Sequence, residues 1–267
     1  MDYFVRNINK DRVIGKNTIY AADVEMVNST IMFRGDGNIL FIEKGTQLKN
    51  VSLKFLGDNS IIYISKSRFR CPFHVNIYHD SVFYLGKNNS INGERAIFQL
   101  SEYKNIFIGD DNMFSFGVSI RVADPHLIYS TETMERINDS KSVYIGDHVW
   151  IGQNVSILKG AFVGSGSIIA GDALLTKKVP SNTIFGGSPA KKIKTDIFWL
   201  RPSVHAFKKS DTQKWNKYEK DNFIYKNEDT YSFESIESNL SSLNPNEKLE
   251  FLKELPTNKN RFFIENI

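Results

Sequence analysis

The chain has 267 residues, 41% of them hydrophobic, which is enough for one large core or for a core with an appendage. Its formal charge of +4, from 34 basic and 30 acidic residues, is too even for the dense cationic field of a nucleic-acid binder. A single cysteine, Cys71, excludes an internal disulfide and fits a reducing compartment, and no run approaches the ~18 apolar residues of a membrane span.

In chain order, the opening MDYFVRNINK has no apolar core and no small-residue cleavage site, so a cytoplasmic protein without a secretory leader is expected. A loose beat then begins near residue 12. The segments NILFIEKG, SIIYISKS, SVFYLGKN, NIFIGDDN and SVYIGDHV align on Ile42, Ile64, Leu85, Ile108 and Ile145, at steps of 22, 21, 23 and 37 residues. From Ile145 the beat tightens to six, through Ile151, Ile157, Val163, Ile169 and Leu175. Four places after each aliphatic stand Val149, Val155, Ala161, Ser167, Ala173 and Val179, mostly small or apolar.

A helix needs apolar residues every three to four places, which this run does not sustain. A six-residue period with Gly after the aliphatic at 146, 152 and 164 marks a parallel β-helix. Each hexapeptide makes one short strand and a corner, three make a coil of about eighteen residues, and Gly and Asn serve the corners. The step of 37 then holds an insertion, placed at about 124–142, and the coil spans about 12–185. Gly186-Gly187 and Pro189 end it. Residues 1–195 are expected as the β-helix domain and 196–267 as a small extension. In the extension, Asn244-Pro245 before EKLEFLKEL reads as an N-capped helix with Pro at its first position.

The insertion opens DPHLIYS. Loops on rigid scaffolds are where chemistry concentrates, although a solenoid also tolerates an insertion that does nothing. A neutral imidazole such as His126 suits a general base near pH 7. Pro125 restricts Asp124 to extended backbone. Asp124 then either accepts the second ring N–H of His126 or is a turn former. Trp150 follows the inward Val149 and should point outward, where an indole needs a ligand or a partner surface over it. Lys177, Lys178, Lys191, Lys192 and Lys194 lie between Asp172 and Asp196 with no acidic residue among them. They are either a solvated face or the rim of a polyanion site.

HVWIG at 148–152, the six-residue beat to 179 and GGSPAKKIK at 186–194 together resemble the hexapeptide-repeat acyltransferases, over about residues 85–195. The pairing of His126 with Trp150 across an insertion is similar to that of O-acetyltransferases of sialic-acid-containing bacterial capsules. The resemblance implies an all-β fold, a left-handed parallel β-helix with an inserted loop and a small C-terminal extension containing helix. It also implies a homotrimer with sites between subunits and acetyl-CoA as donor. In that reading His126 takes the proton of a sugar hydroxyl, the Gln153 backbone N–H holds the oxyanion, and Trp150 lines the site. Pantetheine would lie near Gly171 and Thr176, with Lys177, Lys191 and Lys194 toward the phosphates. Arg121, Tyr129 and Arg136 are candidates for an acidic acceptor, since a guanidinium binds carboxylate in bidentate fashion. The loop carrying them would serve equally as a trimer contact.

The expected function is therefore an acetyl-CoA-dependent O-acetyltransferase of a capsular or other surface glycan. Direct transfer is expected, because no Cys or Ser-His-Asp arrangement suggests an acyl-enzyme. The alternatives are an N-acetyltransferase of an amino sugar nucleotide or of a small acceptor, and a β-helix scaffold without activity. No metal is expected: His74 and His79, five apart on a strand, would face opposite sides. His148 is assigned a structural place at a corner.

Overall fold

The computed structural model describes residues 2–93 and 95–266. The chain winds into a left-handed parallel β-helix of about seven turns, triangular in section. One coil illustrates the path. Strand Ser119–Arg121 lies on a first face, the inserted loop follows, Val143–Ile145 lies on a second face and Trp150–Ile151 on a third. Ser156–Ile157 then returns to the first face, directly above Ser119–Ile120. The expected register is the observed one, with Ile42, Ile64, Leu85, Ile108, Ile145 and Val163 stacked in consecutive coils of the second face. The six aliphatics from Ile145 to Leu175 are all fully buried, because a strand of two or three residues projects one of them into the coil and the next outward. At the corners the backbone takes positive φ, as at Asn154 (54°) and Gly160 (79°), where Gly and Asn carry the smallest steric cost.

Both ends of the stack are closed by antiparallel strands, which blunts edges that would otherwise pair with other chains. Tyr3–Val5 pairs with Thr30–Phe33 and Arg12–Ile14 with Asn17–Ala21 at the start, and Lys191–Lys194 with Ile184–Gly186 at the end.

The three faces differ in what covers them. On the second face, outward aromatics form a ladder in which Phe41, Tyr63, Tyr84 and Phe107 stack with ring centroids 4.4–4.9 Å apart. The extension carries α1 (Lys209–Lys214), α2 (Phe233–Ser242) and α3 (Pro245–Lys253). Helices α2 and α3 lay Phe233, Ile236, Leu240, Leu249 and Leu252 on that ladder, all buried. At ~2 kcal/mol for each buried side chain this contributes on the order of 10 kcal/mol before the entropy of ordering the segment. The start of α3 is as expected: the Asn244 side chain accepts from the Asn246 and Glu247 amides, and Pro245 opens the helix. The extension is fastened further by Arg261, which bridges Asp147 (2.6 Å) and Asp110 (2.7 Å). Burial pushes the Asp147 carboxyl up to about 6, against the pull of the Arg261 guanidinium.

At the corner between the second and third faces runs a strap, residues 197–225, which carries Trp199, Arg201 and Phe223. The first face carries exposed Ile97 and Gln99 on the strand Ala96–Leu100, and is called the open face below.

Candidate active site

The inserted loop leaves the coil where the open face turns into the helix-covered face. It is an ordered hairpin: Ile137 N donates to Ile128 O, Ser130 N donates to Glu135 O, and Tyr129 bridges Arg136. Its hub is Asn138, 5% exposed. The Asn138 amide donates to the His126 carbonyl at 2.8 Å and to Asp124 Oδ2 at 3.2 Å, and its oxygen accepts from Ile128 N at 2.9 Å. Lys159, from the next coil, donates to Asp124 Oδ2 at 2.7 Å and to the Asn138 carbonyl at 2.9 Å. The Lys159 ammonium beside Asp124 holds its carboxyl below the usual carboxylate range.

His126 is thereby fixed at its backbone, with its ring exposed to a groove of about 600 Å³. Asn76, Tyr78, Gln99, Arg121, Asp124 and Arg136 line the same groove. Two expectations for this cluster are corrected. Asp124 spends its hydrogen bonds on Lys159 and Asn138 rather than on the His126 ring, so it builds the loop and does not set the imidazole tautomer. Arg136 is paired in bidentate fashion with Glu102, at 2.8 Å through each nitrogen, and is not free to bind a carboxylate. Hydrogen bonds from Arg136, and then from Ser140, lower Glu102 to about 2. Arg121 makes no side-chain hydrogen bond among the described residues and keeps its charge for the groove. Tyr129 is 53% exposed on the hairpin, outside the groove lining.

Gln153 stands at the other edge of the open face, where the third face turns into it. Its neighbours' amides are used between coils: Gly152 N donates to Ile169 O and Asn154 N to Phe116 O, both at 2.8–2.9 Å. The Gln153 carbonyl accepts from Asp172 N at 2.8 Å. Among the described residues the Gln153 N–H has no acceptor. Gly171 lies beside it, and a β-carbon there would sit 3.3 Å from Gln153 Cγ and 3.8 Å from Gln153 N. The bare glycine leaves that edge of the coil open. Trp150 projects outward from the third face, as expected, between Met113 and Ile168 of adjacent coils, and is 37% exposed.

The expected donor residues do not form one path on a single chain. Gly171 lies at the Gln153 corner, whereas Thr176 and Lys177 follow the strand Leu174–Leu175, at the His126 corner. Lys191 and Lys194 lie on the closing strand, opposite Gly186 and Ile184. Lys177, Lys191 and Lys194 are exposed and make no side-chain bond among the described residues. Lys178 is drawn to Glu234 (2.7 Å) and Lys192 to Asn266 (3.0 Å). His126 and Gln153 are likewise at opposite edges of a face about five residues wide, roughly 15 Å at ~3.3 Å per residue.

His74 bonds Asn76 at 2.9 Å, and its strand ends at Ile77, so His79 lies in the following turn and accepts from Asp58 N. The alternation argument therefore does not apply to that pair. No metal-holding group of three or more His, Cys, Asp or Glu is found among the described residues. Sequence reading missed Glu102, Asn138 and Lys159. Glu102 and Lys159 meet partners 21 to 38 positions away because the coils stack, whereas Asn138 meets Asp124, His126 and Ile128, 10 to 14 positions earlier, because the hairpin folds back on itself.

A triangular coil of hexapeptides, with HVWIG on one face and a histidine on its one long insertion, defines a hexapeptide-repeat acyltransferase scaffold. The comparisons agree. This chain belongs to the hexapeptide-repeat acetyltransferases, together with the polysialic acid O-acetyltransferases. It is 33% identical over 203 residues to the polysialic acid O-acetyltransferase of Neisseria meningitidis, a match covering 75% of this chain and 83% of that one. Identity to the polysialic acid O-acetyltransferase of Escherichia coli O1:K1 is 39% over 97 residues, which spans 36% of this chain and 32% of that protein. The crystal structure of the polySia-specific acetyltransferase NeuO superposes with a TM-score of 0.64 at 31% identity, over 76% of this chain and 88% of that one. That of the polysialic acid O-acetyltransferase OatWY gives 0.59 at 26%, over 75% and 98%. No protein-family model matches the chain.

Proposed function

We propose that the chain is an acetyl-CoA-dependent O-acetyltransferase acting on a hydroxyl of an acidic surface glycan, of which polysialic acid is the first to try. The observation that carries this reading is the division of the site into two halves, one at each edge of the open face. One half is a histidine held by its backbone over a groove that contains Arg121. The other is an unpaired main-chain N–H at Gln153 beside the bare Gly171. Neither half is complete on one chain. Packing the open faces around a three-fold axis would bring the His126 corner of one copy to the Gln153 corner of the next. The hairpin side chains Leu127, Ile128, Met134 and Ile137, 48–75% exposed, are apolar surface that such a neighbour would cover.

Acetyl-CoA, when bound, supplies an acetyl thioester. The residues around it have the following tasks. His126 would accept the proton of the sugar hydroxyl as that oxygen attacks the acetyl carbon, and would return it to the sulfur as the C–S bond breaks and the thiol leaves; such acid–base help is worth ~10²–10⁴-fold. The Gln153 N–H donates to the carbonyl oxygen as charge gathers on it, and one such donor is worth ~3–4 kcal/mol. The Trp150 ring bounds the space between them. Lys177, Lys191 and Lys194 offer unpaired charge to the donor phosphates.

An acidic polymer fits the rest of the open face. A second cavity of about 510 Å³, lined by Arg70, His74, Arg95 and Ile97, lies on the same two strands as the first. Strand Phe73–Ile77 gives His74 to one cavity and Asn76 to the other, and strand Ala96–Leu100 gives Ile97 and Gln99. Cations thus stand at both ends of a continuous outer surface.

The test is an incubation of the purified chain with acetyl-CoA and polysialic acid, following free thiol and base-labile acetate on the polymer. Release of thiol with matching sugar acetate supports the proposal. Acetate on an amine, or no thiol release with any acidic glycan, refutes it.

A further inference from the structure

His148, at the corner before Trp150, is 2% exposed and lies flat between two rings of the strap. Its centroid is 4.1 Å from that of Trp199, at 9°, and 3.9 Å from that of Phe223, at 13°. Both ring nitrogens have partners. Nδ1 is 2.7 Å from Asp111 Oδ2 and Nε2 is 3.0 Å from the Trp199 carbonyl oxygen. The Trp199 indole N–H returns a bond to the His148 carbonyl at 2.8 Å.

The proton count follows from the acceptors. A carbonyl oxygen cannot donate, so Nε2 carries a hydrogen. Asp111 is ionised. Burial works against the charge, but the Arg201 guanidinium, 3.0 Å from its other oxygen, stabilises the carboxylate independently of His148. A carboxylate cannot donate either, so Nδ1 also carries a hydrogen. A ring with two N–H groups is a cation, and two aromatic faces are a favourable place for one. The ionisable groups around it are Asp111 and Arg68 from the coil and Arg201 and Tyr218 from the strap, all on one cavity of about 220 Å³. Tyr225 lies on the Asp111 and Asp147 side.

Trp199 is also the neighbour of Trp150, with centroids 6.1 Å apart at 48°. We propose that His148 is a positioning residue: in its doubly protonated form it buckles the strap to the coil and, through Trp199, fixes the Trp150 ring. A neutral imidazole could donate to only one of the two acceptors, which would leave either Asp111 Oδ2 or the Trp199 carbonyl oxygen without its bond from the ring. The link to Trp150 rests on the function proposed above, whereas the buckle itself does not.

The experiment has two arms on the full chain. In the first, ¹⁵N-histidine spectra at neutral pH should contain one slowly exchanging imidazole with both nitrogens protonated, absent from His148→Gln. A His148 ring with one bare nitrogen overturns the charged buckle, whatever the activity. In the second, His148→Phe keeps the stack and removes both bonds, with His148→Gln as the alternative should Phe not fold. Either should lower kcat 10-fold or more, leave KM for acetyl-CoA within two-fold, and shift the Trp150 indole N–H resonance. In a Trp150→Ala background the same substitution should change kcat less than two-fold. An equal loss in both backgrounds, or an unmoved Trp150 resonance, overturns the positioning role. If wild type transfers no acetyl at all, the proposed function fails, and the spectra still decide the buckle.

Discussion

The side-chain amide of Asn138 donates to the backbone carbonyl of His126 at 2.8 Å. The position of the candidate base is thus set by a residue twelve places further along the hairpin. Asn138→Ala removes that bond and those to Asp124 and Ile128. Losing a buried hub of this kind costs about 1–3 kcal/mol, and a displacement of ~1 Å at a reacting group can cost 10²-fold. The expected result is a kcat 10- to 100-fold lower with KM for acetyl-CoA unchanged, read from steady-state kinetics.

The hairpin is clamped to the coil by two carboxylates, Glu102 with Arg136 and Asp124 with Lys159. Both are held below the usual range, Glu102 at about 2. A depressed carboxylate contributes stability that is present above its unfolded value, ~4, and is lost as pH falls through the folded value. The Glu102–Arg136 arm of the clamp should therefore survive at pH 4 and release only as pH falls toward about 2, and the Asp124–Lys159 arm should release below the usual carboxylate range. Hydrogen exchange of the Ile128 and Ile137 amides, which close the hairpin, should remain protected at pH 4. Loss of that protection at pH 5 would contradict the clamp.

Gly171 is not in the left-handed region, so alanine there is compatible with the backbone. Its β-carbon would stand 3.3 Å from Gln153 Cγ and 3.5 Å from the Gln153 carbonyl oxygen, and would narrow the approach to the Gln153 N–H. Gly171→Ala should leave the melting temperature within a few degrees and raise KM for acetyl-CoA by several-fold, with KM for the glycan little changed. The reverse pattern would place the donor elsewhere.

Arg261→Ala leaves Asp147 buried against Asp110 with no counter-charge. Breaking a buried pair in this way costs about 3–5 kcal/mol. The sign with pH is specific. Beside Arg261 the Asp147 carboxyl already stands at about 6; without that guanidinium it rises further, and a raised carboxyl favours folding below its unfolded value and loses that contribution as pH rises through the folded one, so the variant loses more. Thermal melts should thus find the variant more destabilised, relative to wild type, at pH 8 than at pH 5.

Much of the coil is legible in the sequence, because one inward aliphatic per strand must recur at each rung. The alignment of Ile42, Ile64, Leu85, Ile108 and Ile145 is the observed register. The outward direction of Trp150 follows from the same alternation, as Val149 points in. What the sequence hides is lateral. Asp124 reads locally as a partner for His126, but the competing cation, Lys159, comes from the coil above. Arg136 reads as a free guanidinium, but Glu102, 34 positions earlier, already occupies it. Gly171 and Thr176 are neighbours in sequence yet lie at two corners, because a strand and a turn separate them. That His148 lies at a corner follows from the repeat, but its stack between Trp199 and Phe223 depends on a strap that carries no repeat.

The central claim is that the His126 imidazole removes the acceptor proton. The most direct measurement is kcat of His126→Ala with acetyl-CoA and the glycan acceptor, alongside acetyl-CoA affinity by calorimetry. His126 is exposed and held by its backbone, so the fold should persist. The account predicts a kcat lower by ~10²–10⁴-fold with donor affinity unchanged. Turnover within a few-fold of wild type would contradict it.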